Sequence, residues 1–296
     1  MSIPTVLVTG SEGLLGSALQ ATFPTYSLLR PLFCSKSMMD ITDPDQIEAY
    51  IQTHAIRYII NCAAYTDVQR AEQAAEHCFK VNSIGAGQLA ALAAKHHVVL
   101  FHISTDYVFG ATTGRPLKPD DPTGPCNTYG RSKLAGEQQI AAYAAQFYII
   151  RTAWLYGETG NNFFTKIVAL AQSGQTIQMV DDQIGSPTYV YDLATAIWKI
   201  IEKIDNHGPA HYPPGIYHYT NEGVASWYDF AHAILTTVPS RCALVPISSP
   251  AIAPKRPYYS VLSKSSFRAV FQIKIPHWLD SLAICLQKWQ ALESYF

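Results

Sequence analysis

Short apolar runs alternate with longer segments of helical periodicity through the first half of the chain. The runs are uniformly apolar, without alternating polar residues, which is typical of strands covered on both faces. We predict buried strands at TVLVTG (5–10), YSLLRPLF (26–33), IRYIINCAA (56–64), VVLFHIS (98–104) and FYIIRTAWLYG (147–157). The pattern predicts an α/β protein with a doubly wound, Rossmann-type parallel sheet, which binds ligands at the carboxyl ends of its strands.

The segments between these strands carry helix start signals. Asp43 is the expected N-cap of one helix, with Pro44 at its first position and Gln46 at the capping-box position. The Ala-rich stretch 67–97 is also predicted to be helical, with an interruption near residues 82–87. Helices of this kind are the crossovers that a parallel sheet requires.

Past residue 156 the alternation becomes irregular. We predict helices at 161–174, 191–204, 226–238 and 277–296, a strand at 176–180 and a Pro/Gly-rich loop at 207–217. This half is interpreted as a smaller domain that lies over the edge of the sheet and is interleaved with the first. The expected division gives residues 1–155, with about 176–200, to the Rossmann domain, and residues 156–175 and 201–296 to the smaller domain.

The composition argues against several classes of protein. Charged residues make up 15% of the chain, and 21 Lys and Arg balance 22 Asp and Glu without a basic arm or stripe. This argues against a nucleic-acid partner. The six cysteines show no paired spacing, which is typical of reduced thiols. No apolar run reaches ~18 residues and the first residues lack signal-peptide features, so we expect a cytoplasmic protein with no membrane partner.

A glycine-rich loop, GSEGLLG, stands between the first predicted strand and its helix. Gly10, Gly13 and Gly16 let the backbone turn tightly and approach a pyrophosphate at a helix N-terminus. In this position the motif predicts a bound nicotinamide dinucleotide. Counting 20 residues from Gly10, where NAD-specific folds carry a carboxylate, leads to Arg30. A guanidinium there favours the 2′-phosphate of NADPH over NADH, although Lys36 is a second candidate and Arg30 could also be a solvated surface residue.

A tyrosine and a lysine lie four residues apart in PCNTYGRSKLAGE (125–137). On a helix, Tyr129 and Lys133 would share one face. Reduction of a carbonyl needs a hydride and a proton, and a tyrosine can supply the proton when a neighbouring ammonium lowers its pKa. Ser104 and Thr105, at the end of a predicted strand, offer a hydroxyl for the same carbonyl. The spacing alone is a weak signal, but this ordered set after a glycine loop is a strong one.

Together these motifs resemble those of the extended short-chain dehydrogenases/reductases. The segments STDYVFG, YGRSKLAGE, RTAWLYG, DDQIGSPT, YHYTNEGVASWYDFA and KRPYYSVLS follow the order seen in the dTDP-4-dehydrorhamnose reductase family. The likeness covers nearly the whole chain. It implies NADPH-dependent reduction of the 4-keto group of dTDP-4-dehydro-L-rhamnose, giving dTDP-L-rhamnose, with the smaller domain binding the sugar nucleotide.

The resemblance also implies roles for individual residues. Thr105 corresponds to the catalytic hydroxyl, Tyr129 to the proton donor and Lys133 to its partner. The cofactor is expected to contact Tyr129 and Lys133, the loop residues Gly10, Ser11, Glu12, Gly13, Leu14, Leu15 and Gly16, and further along the chain Arg30, Asp40, Ile41, Cys62, Ala63 and Ala64.

Four residues are expected to face the substrate. Asp106, Tyr107 and Trp154 correspond to family positions near the sugar. Arg256 is expected to face the nucleotide diphosphate, which guanidinium groups bind well. Each also has a plainer interpretation, as a turn cap, a packed aromatic side chain or a solvated turn residue.

Alternative functions stay open on the sequence alone. A dTDP-dihydrostreptose synthase, which contracts the sugar ring before it reduces an aldehyde, would use the same catalytic residues. A non-catalytic NADP-binding regulatory subunit, such as the methionine adenosyltransferase β subunit, often lacks part of the set that is complete here. Some family members form homodimers with help from Mg²⁺, but no acidic cluster or histidine pair in this sequence predicts a metal site.

Overall fold

The predicted parallel sheet lies at the centre of the molecule. The structure, a computed structural model, describes residues 3–24, 28–110, 114–144, 146–250 and 255–293. Its strands are β1 (Thr5–Thr9), β2 (Arg30–Cys34), β3 (Ile56–Asn61), β4 (Val99–Thr105), β5 (Phe147–Thr152), β6 (Leu155–Tyr156), β7 (Ile177–Val180), β8 (Ile184–Gly185), β9 (Thr188–Tyr189), β10 (Gly215–His218), β11 (Ala225–Ser226) and β12 (Leu244–Ile247). Its α-helices are α1 (Leu14–Ala21), α2 (Pro44–His54), α3 (Val68–Ala71), α4 (Ala75–Phe79), α5 (Ala86–Lys95), α6 (Thr128–Tyr143), α7 (Phe163–Ala171), α8 (Val190–His207), α9 (Trp227–Leu235), α10 (Ser265–Phe271) and α11 (Trp278–Glu293).

Within the described residues, the central sheet has the strand order β10-β5-β4-β3-β1-β2, and all its pairings are parallel. The chain first adds β2 on one side of β1 and then crosses to place β3 on the other side. The strand order therefore reverses between β1 and β3, and ligands of such sheets bind in the crevice at the carboxyl ends there. The predicted fold class is confirmed.

Both faces of this sheet are covered, which explains the uniformly apolar strands. Val6 and Val8 of β1 belong to a core shared with α1, α8 and α10, whereas Leu7 between them belongs to a second core shared with α2, α5 and α6. Because successive side chains of a strand point to opposite faces, a strand buried on both sides has no position left for polar alternation.

A third core lies apart from the sheet. Its large side chains come from β6, α7, α9 and α11, and include Tyr156, Phe164, Phe230 and Trp278. These elements all come from the second half of the chain. Short two-stranded pairings, β11 with β8, β12 with β7 and β6 with β9, accompany this core.

Several predicted elements are confirmed, and others change. The Asp43 carboxylate accepts hydrogen bonds from the backbone N–H groups of Asp45 and Gln46 at 3.1 Å, so it caps α2 as predicted. The predicted interruption of 67–97 is a π-helical segment, Lys80–Gly85. The predicted strand 147–157 is instead broken after β5. Residues 26–27 of one predicted strand and 294–296 of the last predicted helix lie outside the described residues. None of the helices in the described part of the chain is both long and apolar enough to span a membrane.

The strand pairings depart from the expected domain boundaries in two places. Residues 215–217, predicted as loop in the smaller domain, belong to β10, which is the edge strand of the central sheet next to β5. Pro213 and Pro214, immediately before this strand, and Gly215, its first residue, hid it from the pattern. Residues 177–180, assigned to the Rossmann domain, form β7 and pair with β12 outside the central sheet. The rest of the division stays a prediction.

A buried ion pair fixes α6 against the sheet. The Arg151 guanidinium of β5 donates to both oxygens of Glu137 on α6, at 2.7 Å from Nη2 and 2.9 Å from Nε. Each side chain is only 3% exposed. Ser104 of β4 donates to the same carboxylate. Since a buried charge is tolerated only when it is paired and hydrogen-bonded, this set specifies where α6 lies.

Replacing Arg151 with Met should lower the free energy of unfolding by ~3–5 kcal/mol, because it leaves the Glu137 carboxylate buried without its counter-charge. The double variant Arg151→Met, Glu137→Leu should recover most of that loss. Urea unfolding of both proteins measures the difference. Equal stability of the single and double variants would contradict this account of the pair.

Candidate active site

Two adjoining cavities open at the carboxyl ends of β1, β3 and β4. The first, of about 300 Å³, extends from the glycine loop toward the residues that follow β2. The second, of about 460 Å³, extends toward α6 and α9. Gly10, Gly13, Cys62 and Ala64 line both cavities, so the two form one continuous cleft. This is the place where the strand order reverses.

Gly10 has the left-handed conformation that the tight turn requires, with φ of +64°. A Cβ there would lie 2.7 Å from the backbone nitrogen of Ala63, so no other residue fits without a shift. Gly16 is equally constrained, because a Cβ there would overlap the carbonyl oxygen of Gly10. Gly13 begins α1 without a side-chain cap and without an acidic residue in the first turn. The positive end of the α1 dipole therefore faces the cleft.

Most of the predicted cofactor residues are brought together. Glu12, Asp40, Ile41 and Ala63 line the first cavity, and Leu14, Leu15 and Gly16 line the second. Ser11 lines neither cavity, and its N–H donates to the carbonyl of Cys34 at 3.1 Å.

Arg30 lies at the opposite edge of the sheet. It is the first residue of β2, pairs with Thr5 at the start of β1, and donates to the Thr5 hydroxyl at 2.8 Å and to the His54 carbonyl at 3.3 Å. The prediction that Arg30 contacts the cofactor is therefore wrong. The count of 20 residues from Gly10 led to the first residue of β2, whereas the cleft is reached only beyond Cys34, where the strand ends.

Lys36, just beyond the carboxyl end of β2, lines the first cavity beside Asp40. Hydrogen bonds from Thr42 lower the pKa of the Asp40 carboxyl, and the positive charges of Lys36 and Lys80 add to this effect. Lys36 thus takes the place that the sequence had assigned first to Arg30.

The predicted catalytic residues meet in the second cavity. Thr105 ends β4, and Tyr129 and Lys133 lie on consecutive turns of α6. Asn127 caps this helix by accepting from the N–H of Gly130 at 2.8 Å. Since the cap and the buried ion pair fix both ends of this stretch, the position of Tyr129 does not depend on its own contacts alone.

The structure also separates the two candidate hydroxyls. Ser104 is used by the buried Glu137 carboxylate. Thr105 lines the cavity, donates to Asp106 at 3.0 Å and is hydrogen-bonded to Tyr129. Thr105 is thus the hydroxyl that can meet a ligand.

The amine of Lys133 is directed away from the tyrosine. Its Nζ lies 2.6 Å from the carbonyl oxygen of Ile103 and 3.1 Å from Nε2 of His102. No hydrogen bond joins it to Tyr129 among the described residues. Burial raises the pKa of Tyr129, and only the hydrogen bond with Thr105 opposes this directly. The expected lowering of the Tyr129 pKa by Lys133 is therefore absent from this structure.

The four predicted substrate residues surround the far side of the same cavity. Burial raises the pKa of Asp106 to about 6, against the effect of the neighbouring Ser260 and Thr105 hydroxyls. The Tyr107 ring meets the Tyr129 ring edge to face, with centroids 5.6 Å apart. Burial raises the pKa of Tyr107 to about 12, and the nearby positive charge of Arg256 opposes this rise.

Trp154 has an unusual backbone for a bulky residue, with φ of +51°. This conformation breaks the strand between β5 and β6 and lays the indole on that of Trp227, with ring centroids 3.6 Å apart and planes 9° from parallel. Gly185 lies beneath this stack, and a Cβ there would be 2.7 Å from Trp154. Strained residues of this kind cluster at ligand sites.

Two residues of the site were missed. Trp227 is the first residue of α9 and lies between Ser226 and Asp229, which form the capping box; SWYD in the sequence was the available signal. His102 was given no role in the sequence analysis, and no spacing in the sequence connects it to Lys133. Among the described residues, no three His, Cys, Asp or Glu side chains gather in a group that could hold a metal ion.

The doubly wound sheet, the glycine loop and the Thr105, Tyr129 and Lys133 set define an extended short-chain dehydrogenase/reductase. Residues 4–291 match the family model described as RmlD substrate binding domain. The chain belongs to this family, the dTDP-4-dehydrorhamnose reductases, as the motifs predicted.

Known relatives agree along almost the full length. The chain is 39% identical to a dTDP-4-dehydrorhamnose reductase of Mycolicibacterium smegmatis, covering 94% of this chain and 83% of the relative. It is 38% identical to a dTDP-4-keto-6-deoxy-D-glucose reductase of Streptomyces niveus, covering 97% and 98%. A crystal structure of dTDP-4-dehydrorhamnose reductase from Bacillus anthracis in complex with NADP superimposes with a TM-score of 0.89 at 33% identity, covering 96% of this chain and 99% of that one.

Replacing Gly10 with Ala should destabilise the protein by ~2–4 kcal/mol, since the methyl group meets the Ala63 backbone and the conformation is left-handed. Gly114→Ala is the matched control, because Gly114 has nearly the same φ, +63°, but nothing within 4 Å of its added Cβ. That variant should lose only ~1 kcal/mol. Urea unfolding compares the two, and equal losses would show that the close approach at Gly10 has no energetic consequence.

Proposed function

We propose that this protein uses NADPH to reduce the 4-keto group of dTDP-4-dehydro-L-rhamnose, giving dTDP-L-rhamnose. The observation that carries the proposal is the meeting of Thr105, Tyr129 and Lys133 with the glycine loop in one cleft. A complete catalytic set in a cavity argues against a regulatory subunit without turnover. The relatives that bear this activity in their names, at up to 39% identity, support the same substrate.

The cleft suits a dinucleotide. Its two cavities, of about 300 and 460 Å³, are of the size that small-molecule sites have. The tight turn at Gly10 packs against the Ala63 backbone, and the N-terminus of α1, which has no side-chain cap, would supply N–H donors for a pyrophosphate. The NADP bound to the Bacillus anthracis relative supports the choice of cofactor. Lys36 in the first cavity would pair with the 2′-phosphate.

When bound, NADPH supplies the hydride that the keto carbon receives. Tyr129 donates its phenolic proton to the keto oxygen as that oxygen gains negative charge, and the alcohol results. The Thr105 hydroxyl hydrogen-bonds to the same oxygen and holds it within reach of Tyr129. Lys133, in its charged form, stabilises the tyrosinate that is left, which then regains a proton from solvent.

The other end of the second cavity would bind the sugar nucleotide. Arg256 would pair with the diphosphate, and Asp106 with Tyr107 would contact the sugar beside the reacting carbon. The stacked Trp154 and Trp227 indoles form an apolar wall for the sugar ring or the base. We further propose a cytoplasmic location, since all six cysteines are free.

A second substrate, a dTDP-4-keto-6-deoxy-D-glucose, is favoured by one observation, the Streptomyces niveus relative at 38% identity. Incubation of the protein with NADPH and each keto sugar nucleotide, followed by NMR of the product, decides between them. The same spectrum identifies a ring-contracted dihydrostreptose product. Absence of NADPH oxidation with every dTDP-keto sugar would overturn the proposed function.

Tyr129→Phe should lower kcat by ~10²–10⁴-fold, because only the proton donor is removed. Its affinity for NADPH and its thermal stability should stay close to wild type. Tyr143→Phe, at the exposed end of the same helix, is the control and should retain full activity. Steady-state kinetics and fluorescence titration with NADPH supply the values. Near-wild-type turnover of Tyr129→Phe would remove Tyr129 from its assigned role.

Lys36→Glu should weaken NADPH binding by roughly ten- to a hundredfold, because charge-assisted hydrogen bonds contribute ~1–3 kcal/mol. Binding of NADH, which lacks the 2′-phosphate, should change little. Arg30→Glu makes the same charge change at the opposite edge of the sheet and should leave both affinities unaltered. Calorimetric titration with each nucleotide tests this, and the reverse pattern would restore the original assignment of Arg30.

A further inference from the structure

A line of buried polar side chains crosses the sheet beneath the active site. The register of β1, β3 and β4 places Thr9 beside Asn61 and Asn61 beside His102. The Thr9 hydroxyl donates to Asn61 Oδ1 at 2.7 Å, Asn61 Nδ2 lies 3.0 Å from His102 Nδ1, and His102 Nε2 lies 3.1 Å from Lys133 Nζ. None of the four residues is more than 2% exposed.

The backbone settles the orientation of the Asn61 amide. The N–H of Ala63 points at Asn61 Oδ1 across 3.2 Å, and a backbone N–H can only donate. An NH₂ group in that place would face the same N–H at 3.2 Å, whereas the other acceptor, Thr9 Oγ1, is farther away at 3.4 Å. The oxygen therefore lies on that side, and the NH₂ group faces His102. Since Nδ2 is a donor, His102 Nδ1 must be the acceptor and carries no proton.

This orientation determines the tautomer of His102. A neutral imidazole has one protonated nitrogen, so its proton is on Nε2, which faces Lys133. A charged imidazole is excluded by the Asn61 NH₂ group, and burial and Lys133 both lower the pKa of His102 well below its usual value. An N–H facing Lys133 at hydrogen-bond distance needs a lone pair, and only the neutral amine has one.

We propose that the Thr9, Asn61 and His102 chain holds Lys133 as a neutral amine in the cofactor-free protein. His102 is thus a positioning residue that controls the charge of the catalytic lysine. The amine then accepts from His102 Nε2–H and donates to the Ile103 carbonyl, which satisfies every group in the chain. With an ammonium in the same place, two donors would face each other.

Titratable groups face Lys133 from its own helix, from the segment after β3 and from α4. Burial lowers its pKa to about 8. Glu137 on its own helix, Cys62 after β3 and Cys78 on α4 oppose this. The Glu137 carboxylate, however, is already neutralised by Arg151. A pKa of about 8 still leaves the ammonium in excess at neutral pH, so the neutral amine depends on the His102 N–H, which acts in the same direction as burial.

The role of the Thr9, Asn61 and His102 chain in the reaction rests on the proposed function. Lys133 must be charged to stabilise the Tyr129 phenolate, yet it is neutral before ligands arrive. It therefore has to gain a proton from solvent when the cleft is filled and its surroundings change. Tyr129, whose pKa is raised here by burial, stays inactive as an acid until then.

The tautomer can be measured directly in the cofactor-free wild-type protein by nitrogen-15 NMR of labelled histidines, with the signal of His102 assigned from its loss in His102→Gln. We expect an unprotonated Nδ1 and a protonated Nε2. His218 is an internal reference of opposite kind, since its Nδ1 donates to the Leu117 carbonyl at 3.1 Å. A proton on Nδ1 of His102 would overturn the proposal, whether or not the protein proves to be a reductase.

Asn61→Asp replaces the hydrogen-bond donor that faces His102 with an acceptor of nearly the same size. A carboxylate oxygen would replace the NH₂ group and accept from Nδ1–H, so that Nε2 becomes an acceptor for an ammonium. We expect His102 to exchange tautomer and the pKa of Lys133 to rise by about one unit or more. Carbon-13 NMR of labelled lysine measures that pKa. His218→Gln removes the other buried imidazole and should change neither the tautomer of His102 nor the pKa of Lys133. If His102 keeps its tautomer in a folded Asn61→Asp protein, the chain does not control Lys133. If that variant does not fold, the wild-type spectrum still decides.

Discussion

The register of three parallel strands is the constraint on which the rest of this molecule depends. Thr9, Asn61 and His102 occupy matched positions on β1, β3 and β4. Because these strands run in the same direction, the residues that follow each of them emerge at one edge. The glycine loop, the Cys62 segment and Thr105 are all brought together by this arrangement. A register shift of one residue in any of these strands would point its polar side chain into the core on the other face of the sheet. The site residues would then no longer meet.

The two sides of the cleft are held by different physical means. On the α6 side, a capped helix and a buried ion pair that accepts a third hydrogen bond place Tyr129 and Lys133. On the other side, aromatic stacking and a strained backbone at Trp154 hold the indoles of Trp154 and Trp227 in place. Charge and hydrogen bonding thus fix the groups that handle protons, whereas apolar contact shapes the wall that a substrate would touch.

Sequence patterns predicted those parts of the structure that are local. Apolar runs revealed five strands of the central sheet. Gly10, Tyr129 and Lys133 were recognised because each belongs to a short motif with a fixed spacing. Arg30 was misplaced because a fixed count of 20 residues from Gly10 takes no account of where β2 begins and ends. β10 was hidden by the prolines before it. The contact of Asn61 with His102 joins residues 41 positions apart, and such a pairing follows from sheet register, which one sequence does not show.

The stack of Trp154 on Trp227 has a consequence for how this family can vary. Gly185 has no room for a side chain while Trp154 keeps its left-handed backbone, because a Cβ would lie 2.7 Å from the indole. The two positions therefore cannot drift independently in evolution. A lineage that replaces the tryptophan with a smaller residue frees position 185 to accept a side chain, and a lineage that first gains one at 185 must give up the stack. This wall of the cavity would then change shape by paired substitutions at 154 and 185.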